Sequence, residues 1–472
     1  MTLKLFNTLE REKEEFEPME EGKVRFYSCG QTIYDDLHVG NARAYVVWDT
    51  LRRYLEWKGY TVRHVQNITD VGHLTDDADQ GEDKVEKRAK ELGLEPMELV
   101  EDQIERYFED TKALNVERQD IVPRATGHVH EMIEYVKEII DSGYGYEVDG
   151  NVYMDVEKVA EDFPYGEMAK KDLEQLKEEA ESRVEQDERK RNQFDFALWL
   201  EADENHLMKW ESPWSVGYPG WHIECTVMSE KYLGDLFDIH TGGKDHIFPH
   251  HPNERAQSFA GKGTGQANYW LHNEFVTIEG EKMSKSKGNF YTVRELLEEH
   301  EGDAVRLYLV SAHYRSEMDF SIEGLEQAEK ELSRIRKTVQ RIDRIEGEEE
   351  ADLDVEGLRE RFEEEMDDDL NTANAKRVLM DFVGEVNSAL DEGMSVSSEA
   401  RDSLIELFGI LGVRAEPLIE EGERRMADHL LGLRERYRDE DDFDTADRIR
   451  ETMEESGFAV EDTRDGAIWL KE

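Results

Sequence analysis

The sequence predicts an α/β protein built on a doubly wound parallel sheet, and three stretches near its N-terminal end carry that reading. Lys23-Val-Arg-Phe-Tyr27 alternates polar and apolar residues as a short strand does, and Ser28-Cys-Gly-Gln-Thr32 follows as a loop. A helical pattern then runs from Gly40 to Trp57, with a stop at Gly59. A second strand over Thr61 to Thr69 completes a strand, helix, strand unit. Such units assemble into parallel sheets of the Rossmann type, wound on both faces.

The remaining elements are read in chain order. Between about Thr126 and Trp210 the pattern changes to a polar hairpin-like stretch, Tyr144 to Met154, and a charged helical run, Asp172 to Arg191. This predicts an inserted domain at 126–210 that separates a first half of the sheet domain, 1–125, from a second half, 211–265. The βα pattern returns in Gly234-Asp-Leu-Phe-Asp-Ile-His240. A connecting region, 266–325, leads into segments that are almost wholly helical with charged faces, from Glu323 to about Gly422, which predict a helical bundle at 326–424. A coiled coil is the other reading of those helices, and a charge run is usually only a solvated face. The last segment, 425–472, reads as helices followed by a strand-rich end, Phe458-Ala-Val-Glu-Asp-Thr-Arg-Asp-Gly-Ala-Ile-Trp469, a small α/β module.

Composition narrows the function classes. A chain of 472 residues suits two to four domains. No run of about 18 apolar residues occurs, and Met1-Thr-Leu-Lys-Leu-Phe6 gives way to Glu10-Arg-Glu-Lys-Glu-Glu15 rather than to an apolar signal core, so a cytoplasmic location without a membrane partner is expected. Two cysteines, Cys29 and Cys225, exclude a disulfide framework and leave metal ligation, catalysis or burial. The net charge of -54, from 113 acidic and 59 basic residues, exceeds what solubility needs and suits the high salt of a halophile, where a Debye length of about 3 Å screens self-repulsion. Charge alone therefore argues against a nucleic-acid ligand, whose phosphates attract lysine and arginine.

Three constellations overrule that average. His38-Val-Gly-Asn41 stands where the first loop enters the first helix, and free backbone N–H groups at such a helix start attract phosphate. Far downstream, Lys282-Met-Ser-Lys-Ser286 and Lys287 place three lysines and two hydroxyls in one short loop. Mobile ammonium groups of that kind can follow the charge that develops on a leaving pyrophosphate. The third is Gly220-Trp-His-Ile-Glu-Cys225 with Asp238-Ile-His-Thr-Gly-Gly-Lys-Asp-His-Ile-Phe-Pro-His-His-Pro-Asn-Glu254. Helical spacing puts His250 and Glu254 on one face, and with Cys29 and Cys225 they make a set of two thiolates, an imidazole and a carboxylate suited to tetrahedral zinc.

His38 and Lys282, in this order, resemble the paired signatures of class I aminoacyl-tRNA synthetases. The wider pattern resembles the cysteinyl-tRNA synthetase family over nearly the whole chain. It includes Tyr27-Ser-Cys-Gly30, Asn67-Ile-Thr-Asp70, Asp195-Phe-Ala-Leu-Trp199, Ser212-Pro-Trp214, Phe248-Pro-His-His251, Ser311-Ala-His-Tyr-Arg315, Met366-Asp-Asp-Asp-Leu-Asn-Thr372 and Glu461-Asp-Thr463. The resemblance implies a Rossmann-type catalytic domain with an inserted connective domain, a stem-contact region at 266–325 that carries the lysine loop, a tRNA-binding helical bundle and a C-terminal anticodon-binding module. It implies ATP with Mg2+, L-cysteine and tRNA(Cys) as reactants, one zinc on Cys29, Cys225, His250 and Glu254, and a monomer.

The same resemblance implies that the substrate thiolate joins the zinc. A metal bond selects sulfur over a serine hydroxyl by more than the roughly 1 to 3 kcal/mol of a methylene-sized pocket, so no editing domain is required. It assigns Thr69, Trp221 and His240 to the cysteine pocket. His38, Gly40, Gly242, Gly243, Asp245 and Lys285 fall to ATP, and His38, Asn41, Lys282 and Lys285 to the chemistry. Asp447 and Asp462 would read base edges in the tail, with Trp469 as a stacking face; otherwise Trp469 closes a small core and both aspartates are surface charge. The chain departs from the family pattern at Gln31 and Gln193, where proline is typical, at Leu200, where lysine is common, and at Asn41 in place of a final histidine. Asn41 can still donate to phosphate but carries no charge. Two rivals share these motifs: a cysteine ligase acting on an amino sugar, which has no use for the tail, and a non-catalytic zinc and nucleic-acid binder, which has no use for the lysine loop.

Overall fold

A computed structural model describes residues 2–74, 81–172, 174–178, 187–204, 206–283, 289–463 and 466–471. The chain divides into two compact units, one of Thr2–Glu298 with Tyr314–Asp319, the other of Glu299–His313 with Phe320–Glu472.

The first unit is organised by a four-stranded parallel sheet. Its strands are β1 (Lys23–Ser28), β2 (Thr61–Gln66), β3 (Leu236–Gly243) and β4 (Gln266–Asn273), in the spatial order β4, β3, β1, β2. The chain reverses its direction of winding between β1 and β3, so the switch point of the sheet lies where their C-terminal ends diverge, the usual place for a ligand crevice. Register pairs Tyr27 with His240 and Ser28 with Thr241. Val24, Phe26 and Tyr27 are fully buried, as expected of a strand covered on both faces. Helix α1 (Val39–Trp57) connects β1 to β2; α2 (Trp221–Leu233) precedes β3, and α3 (His250–Lys262) links β3 to β4.

Two local differences from the sequence expectation matter. The second strand ends at Gln66, not Thr69. The side-chain oxygen of Asn67 turns to accept from the Gly30 amide at 2.8 Å, and the Thr69 amide donates to Gln31 at 3.1 Å. The two strand ends thereby close on each other so tightly that a Cβ on Gly30 would stand 1.6 Å from the Asn67 carbonyl oxygen, which only glycine permits. At the N-terminus an antiparallel hairpin, Lys4–Asn7 with Glu12–Glu15, was not expected, because its second strand carries mostly exposed charge.

The inserted region is a five-stranded antiparallel sheet of Gly145–Val148, Asn151–Met154, Ala197–Glu201, Val216–Pro219 and Trp210–Glu211, in that order. It extends past position 210, because Val216–Pro219 pairs with Ala197–Glu201 and hands the chain directly to α2. Of the charged run Asp172 to Arg191, residues 174–178 are helical; 187–191 are not, with Asp187 accepting from the Arg189 amide and guanidinium, and 173 and 179–186 lie outside the described residues.

In the second unit, helices Ile322–Ile342, Val355–Asp367, Thr372–Asp391 and Ser398–Ile410 pack as a bundle. Leu325, Ala328, Leu332, Ile335, Val339 and Ile342 form the buried stripe of the first of these at spacings of three and four, and Ser321, Asp354, Asn371 and Ser397 accept backbone N–H groups at the four helix starts. The apolar stripe is covered by neighbouring helices of the same unit, which decides for a bundle over a coiled coil. Helices Glu421–Asp439 and Phe443–Glu455 then lead into a hairpin, Phe458–Thr463 with Gly466–Lys471, around a small core of Ala427, Met453, Phe458, Val460 and Trp469.

One buried acid in the first unit yields a test of the packing. Glu230 on α2 accepts from the Tyr135 hydroxyl at 2.9 Å, and burial pushes its carboxyl up to about 8. A carboxyl held above its unfolded value of roughly 4.3 contributes stability that is present below that pH and lost as the pH rises through 8. Glu230→Gln keeps the acceptor but cannot ionise. Calorimetric unfolding should find its midpoint near wild type at pH 4 and above wild type at pH 9; an equal shift at both pH values contradicts the assignment.

Candidate functional site

The crevice at the switch point holds a cavity of about 660 Å3, a size suited to a small substrate with a nucleotide. Cys29 lies one residue beyond β1, on a loop whose course is fixed by the Gly30 and Asn67 contact, and its amide donates to the Thr241 carbonyl of β3 at 3.1 Å. Cys225 is on the first turns of α2, and His250 and Glu254 are on the first turns of α3. Ligand atoms of these four residues all lie within 4.8 Å of one another, and all four residues are buried. Tetrahedral zinc, with bonds of about 2.0 to 2.3 Å, places its donors about 3.3 to 3.8 Å apart, so side-chain adjustments alone would close the set.

The electrostatics of this cluster are set by the fully buried Glu254 carboxylate. Burial opposes its ionisation, yet the neighbouring His240 and His250 outweigh that and hold its carboxyl well below the usual range. His240 Nε2 lies 2.9 Å from Glu254 Oε2, His250 Nε2 3.0 Å from Oε1, and the Gln266 amide donates to Oε2 at 3.0 Å. A hydrogen bond from Cys29 draws the Cys225 thiol down to about 6, against the effect of burial, whereas burial pushes Cys29 up. One thiol of the pair is therefore ready to ionise first. Around the four stand further histidines. His222 Nδ1 is 2.8 Å from His250 Nδ1, which leaves His250 Nε2 toward the cluster, and His251 Nε2 is 3.4 Å from Cys29 Sγ, with His272 2.8 Å behind it. His240 and His251 also form, with Cys29 and Glu254, a second overlapping set of possible ligands.

Residues assigned to the amino acid divide in two. Thr69 and Trp221 line the cavity. His240 does not; it is fully buried, stacks on Trp270 with centroids 4.5 Å apart, and bonds Glu254. Of the residues assigned to ATP and the chemistry, His38, Gly40, Asn41, Gly242, Gly243 and Asp245 line the same cavity. His38 caps α1: its Nδ1 accepts from the Gly40 and Asn41 amides at 3.1 and 3.3 Å, so the ring proton sits on Nε2. A Cβ at position 40 would lie 2.8 Å from the Met283 methyl, which ties Gly40 to the loop that follows Lys282. The Lys282 backbone pairs with Thr277 in a short hairpin, Val276–Ile278 with Glu281–Lys282. Lys285 lies outside the described residues.

The sequence singled out neither His73 nor Lys84, which also line the cavity. Each sits outside a short motif, and the one signal available was that both fall close behind Asn67-Ile-Thr-Asp70. His222, His251 and His272 lacked assigned roles as well, although the density of histidine between Trp221 and His272 marked the region.

The three tail residues belong to the second unit. Asp447 is exposed. Asp462 is gripped by the Arg434 guanidinium at 3.0 and 3.1 Å and by Arg438 at 3.1 Å, and these hold its carboxyl below the usual value. Trp469 requires correction. It is 3% exposed, donates through Nε1 to Asp428 at 2.7 Å and is covered by Arg344, whose guanidinium lies 3.7 Å from the ring centroid. Its face is spent on the module's own core and on Arg344, so it offers no stacking surface for a base.

Comparison with known proteins identifies the family. The sequence matches the family described as tRNA synthetases class I (C) catalytic domain over residues 15–330, and a DALR domain over residues 361–416, within the helical bundle. The cysteine–tRNA ligase of Bacteroides fragilis is 43% identical over 484 residues, which cover 99% of this chain and 98% of that protein. A cysteine–tRNA ligase of Thermus thermophilus is 44% identical over 488 residues and the whole of both chains. Among solved structures, Mycobacterium tuberculosis methionyl-tRNA synthetase in complex with methionyl-adenylate superposes with a TM-score of 0.57 at 17% identity, over 87% of this chain and 94% of that one, a likeness of fold alone. With full-length identity of this order joined to a matching catalytic domain, the chain belongs to the class I tRNA synthetases and, within them, to the cysteine–tRNA ligase family.

Proposed function

We propose that the chain activates L-cysteine with ATP to cysteinyl-adenylate and transfers the cysteinyl group to tRNA(Cys), with zinc on Cys29, Cys225, His250 and Glu254 as the selector of the substrate sulfur. The observation that carries this reading is the convergence of two thiols, an imidazole and a carboxylate within 4.8 Å beside a cavity that also holds His38, Gly242 and Asp245. The donor set fits zinc: sulfur and imidazole suit a borderline-soft ion, and Glu254 brings a buried negative charge that a cation would compensate. When bound, zinc supplies a Lewis acid that takes a thiolate in preference to a hydroxyl.

The chain's own groups then act by positioning. His38, with its proton on Nε2, donates to a phosphate oxygen at the start of α1, where the helix dipole adds attraction. Asp245, exposed at the cavity rim, accepts ribose hydroxyls. Gly242 leaves room for the His246 and His251 rings, since a Cβ there would lie 2.4 Å from His246 Nδ1, and its backbone lines the cavity where adenosine would lie. The cysteine carboxylate attacks the α-phosphate in line and displaces pyrophosphate, whose charge Lys282 and Lys285 meet; a terminal ribose hydroxyl of the tRNA then gives up its proton as it attacks the activated carbonyl, and AMP leaves. Mg2+ accompanies ATP.

The six segments inferred from the sequence carry the corresponding duties: catalysis at 1–125 and 211–265, a connective insertion at 126–210, acceptor-stem contact at 266–325, and tRNA binding at 326–424 and 425–472. In the last of these Asp447 and Asp462 read base edges, Asp462 through its arginine pair. The reading includes a monomer in the cytoplasm, and no helix among the described residues is long and apolar enough to cross a membrane. The net charge of -54 fits a surface that works in high salt.

Two measurements test the site. Cys225→Ser should reduce bound zinc to well below one per chain and slow cysteine-dependent ATP–pyrophosphate exchange by orders of magnitude, because one of four donors is lost. Full zinc content together with normal exchange overturns the ligand set. Lys285→Ala should slow adenylate formation roughly 100- to 1,000-fold with cysteine affinity changed less than twofold, since its charge matters most as pyrophosphate departs. A matching loss in cysteine affinity places Lys285 in amino acid binding instead.

A further inference from the structure

The start of α1 is held on both sides of His38 by one neighbouring helix, Pro96–Ala113. His38 pairs with Thr292 across an isolated antiparallel bridge. The Val39 amide donates to the Tyr291 carbonyl at 3.1 Å, and the Val293 amide donates to the Leu37 carbonyl at 2.7 Å. Phe290, just before the bridge, meets the His38 ring edge-on with centroids 5.3 Å apart. Residues 290–293 thus lie against the loop that carries His38, and they continue into a short helix, Val293–Leu297, whose start Thr292 caps.

Two arginines tie the two sides of this bridge to the helix Pro96–Ala113. Arg106, on that helix, forks onto Asp36, two residues before His38, with Nε 2.6 Å from Oδ1 and Nη2 2.7 Å from Oδ2. Arg294, two residues beyond Thr292, reaches the same helix from the other side. Its Nη2 donates to the Arg106 carbonyl at 3.2 Å and to Glu109 Oε2 at 2.9 Å, and lies 3.0 Å from Asp110 Oδ1. Asp110 is buried, where a lone carboxylate is costly, so charge as well as hydrogen bonding holds Arg294 there. The helix is itself fixed on the sheet: Leu99, Val100, Ile104 and Tyr107 are buried, and the Tyr107 hydroxyl donates to Gln66 of β2 at 2.5 Å.

The phosphate contact assigned to His38 runs through its Nε2 proton. Nδ1 is occupied by the Gly40 and Asn41 amides, and the Val39 amide is spent on Tyr291, so the first amides of α1 are turned inward. A single ring donor acts only where the ring stands. Its place is set by the bridge and by Phe290, and these are set by Arg106 on one side and Arg294 on the other.

We propose that Arg294 and Arg106 are positioning residues for adenylate formation, which hold the His38 ring at the phosphates by clamping both sides of the His38 and Thr292 bridge to the helix Pro96–Ala113. The proposal rests on the cysteine-activating reading, and adds to it residues that touch neither substrate.

A double-mutant cycle, read by cysteine-dependent ATP–pyrophosphate exchange on the zinc-loaded full chain, tests it. Arg294→Ala should lower the exchange rate roughly ten- to a hundredfold, the scale of a small misplacement of a catalytic donor, with cysteine affinity by calorimetric titration changed less than about twofold. In the His38→Ala background, where no ring is left to place, the same substitution should change the rate less than about twofold. Arg294→Lys should restore most of the rate, because the three acceptors surround one nitrogen and an ammonium carries three donors. Arg106→Ala should repeat the pattern of Arg294→Ala, and decides the matter if Arg294→Ala does not fold. An undiminished rate in Arg294→Ala, an equal fold-loss in both backgrounds, or a parallel loss of cysteine affinity overturns the proposal. His38→Ala that exchanges at the wild-type rate contradicts the phosphate role of His38 itself and takes the proposal with it, a result the single variant shows without the cycle.

Discussion

The Glu254 carboxylate, fully buried, is the constraint around which the site is built. An isolated carboxylate cannot be placed in a protein interior without large cost, so its neighbours are obliged to supply charge and donors. His240, His250 and Gln266 do so. These residues come from β3, α3 and β4, which means the arrangement is available only once the parallel sheet has closed. The same closure brings Cys29 from the end of β1 against the Thr241 carbonyl of β3. A metal bound by Glu254 and the two thiols would replace part of this compensation, and folding of the sheet and loading of the site would then draw on the same contacts.

The switch between β1 and β3 explains why two different recognition tasks share one cavity. The loop after β1 brings Cys29 and Thr32 to the cavity and then enters α1 at His38, which caps that helix. Gly242 and Gly243 at the end of β3, with Asp245 just beyond it, line the same cavity. The acidic average of the chain is not the local composition of the cavity, whose lining includes His38, His73, Lys84, His246 and His250. What the net charge affects is the long-range attraction of nucleic acid, which high salt suppresses in any case.

Much of the catalytic unit was legible in the sequence because its elements obey simple periodicities. Lys23 to Tyr27 and Gly40 to Trp57 appear within a residue of the expected limits. That Cys29, Cys225, His250 and Glu254 would converge could be expected from helical spacing and from the scarcity of cysteine. Other features depend on tertiary context. Asn67 to Thr69 has strand-like residues, yet Asn67 is drawn off to the Gly30 amide. The Glu12–Glu15 strand is held by its pairing to Lys4–Asn7 and not by an apolar face. Trp469 in an alternating polar strand could face outward or inward with equal propensity, and the core formed with Phe458 and Met453 decides it. His73 stacks on Trp221 and bonds Thr32, and Lys84 bonds His73, contacts between residues that no spacing rule connects.

The central claim is that cysteine is selected by a bond from its sulfur to a metal on Cys29, Cys225, His250 and Glu254. Zinc-edge X-ray absorption of the loaded enzyme counts the sulfur atoms around the ion directly. Two sulfur ligands are expected from the chain alone, since the set contains two cysteines. Addition of L-cysteine should raise the count by one, and addition of L-serine should leave it unchanged. A sulfur count that does not rise with cysteine, in enzyme that still carries out cysteine-dependent ATP–pyrophosphate exchange, would contradict the account.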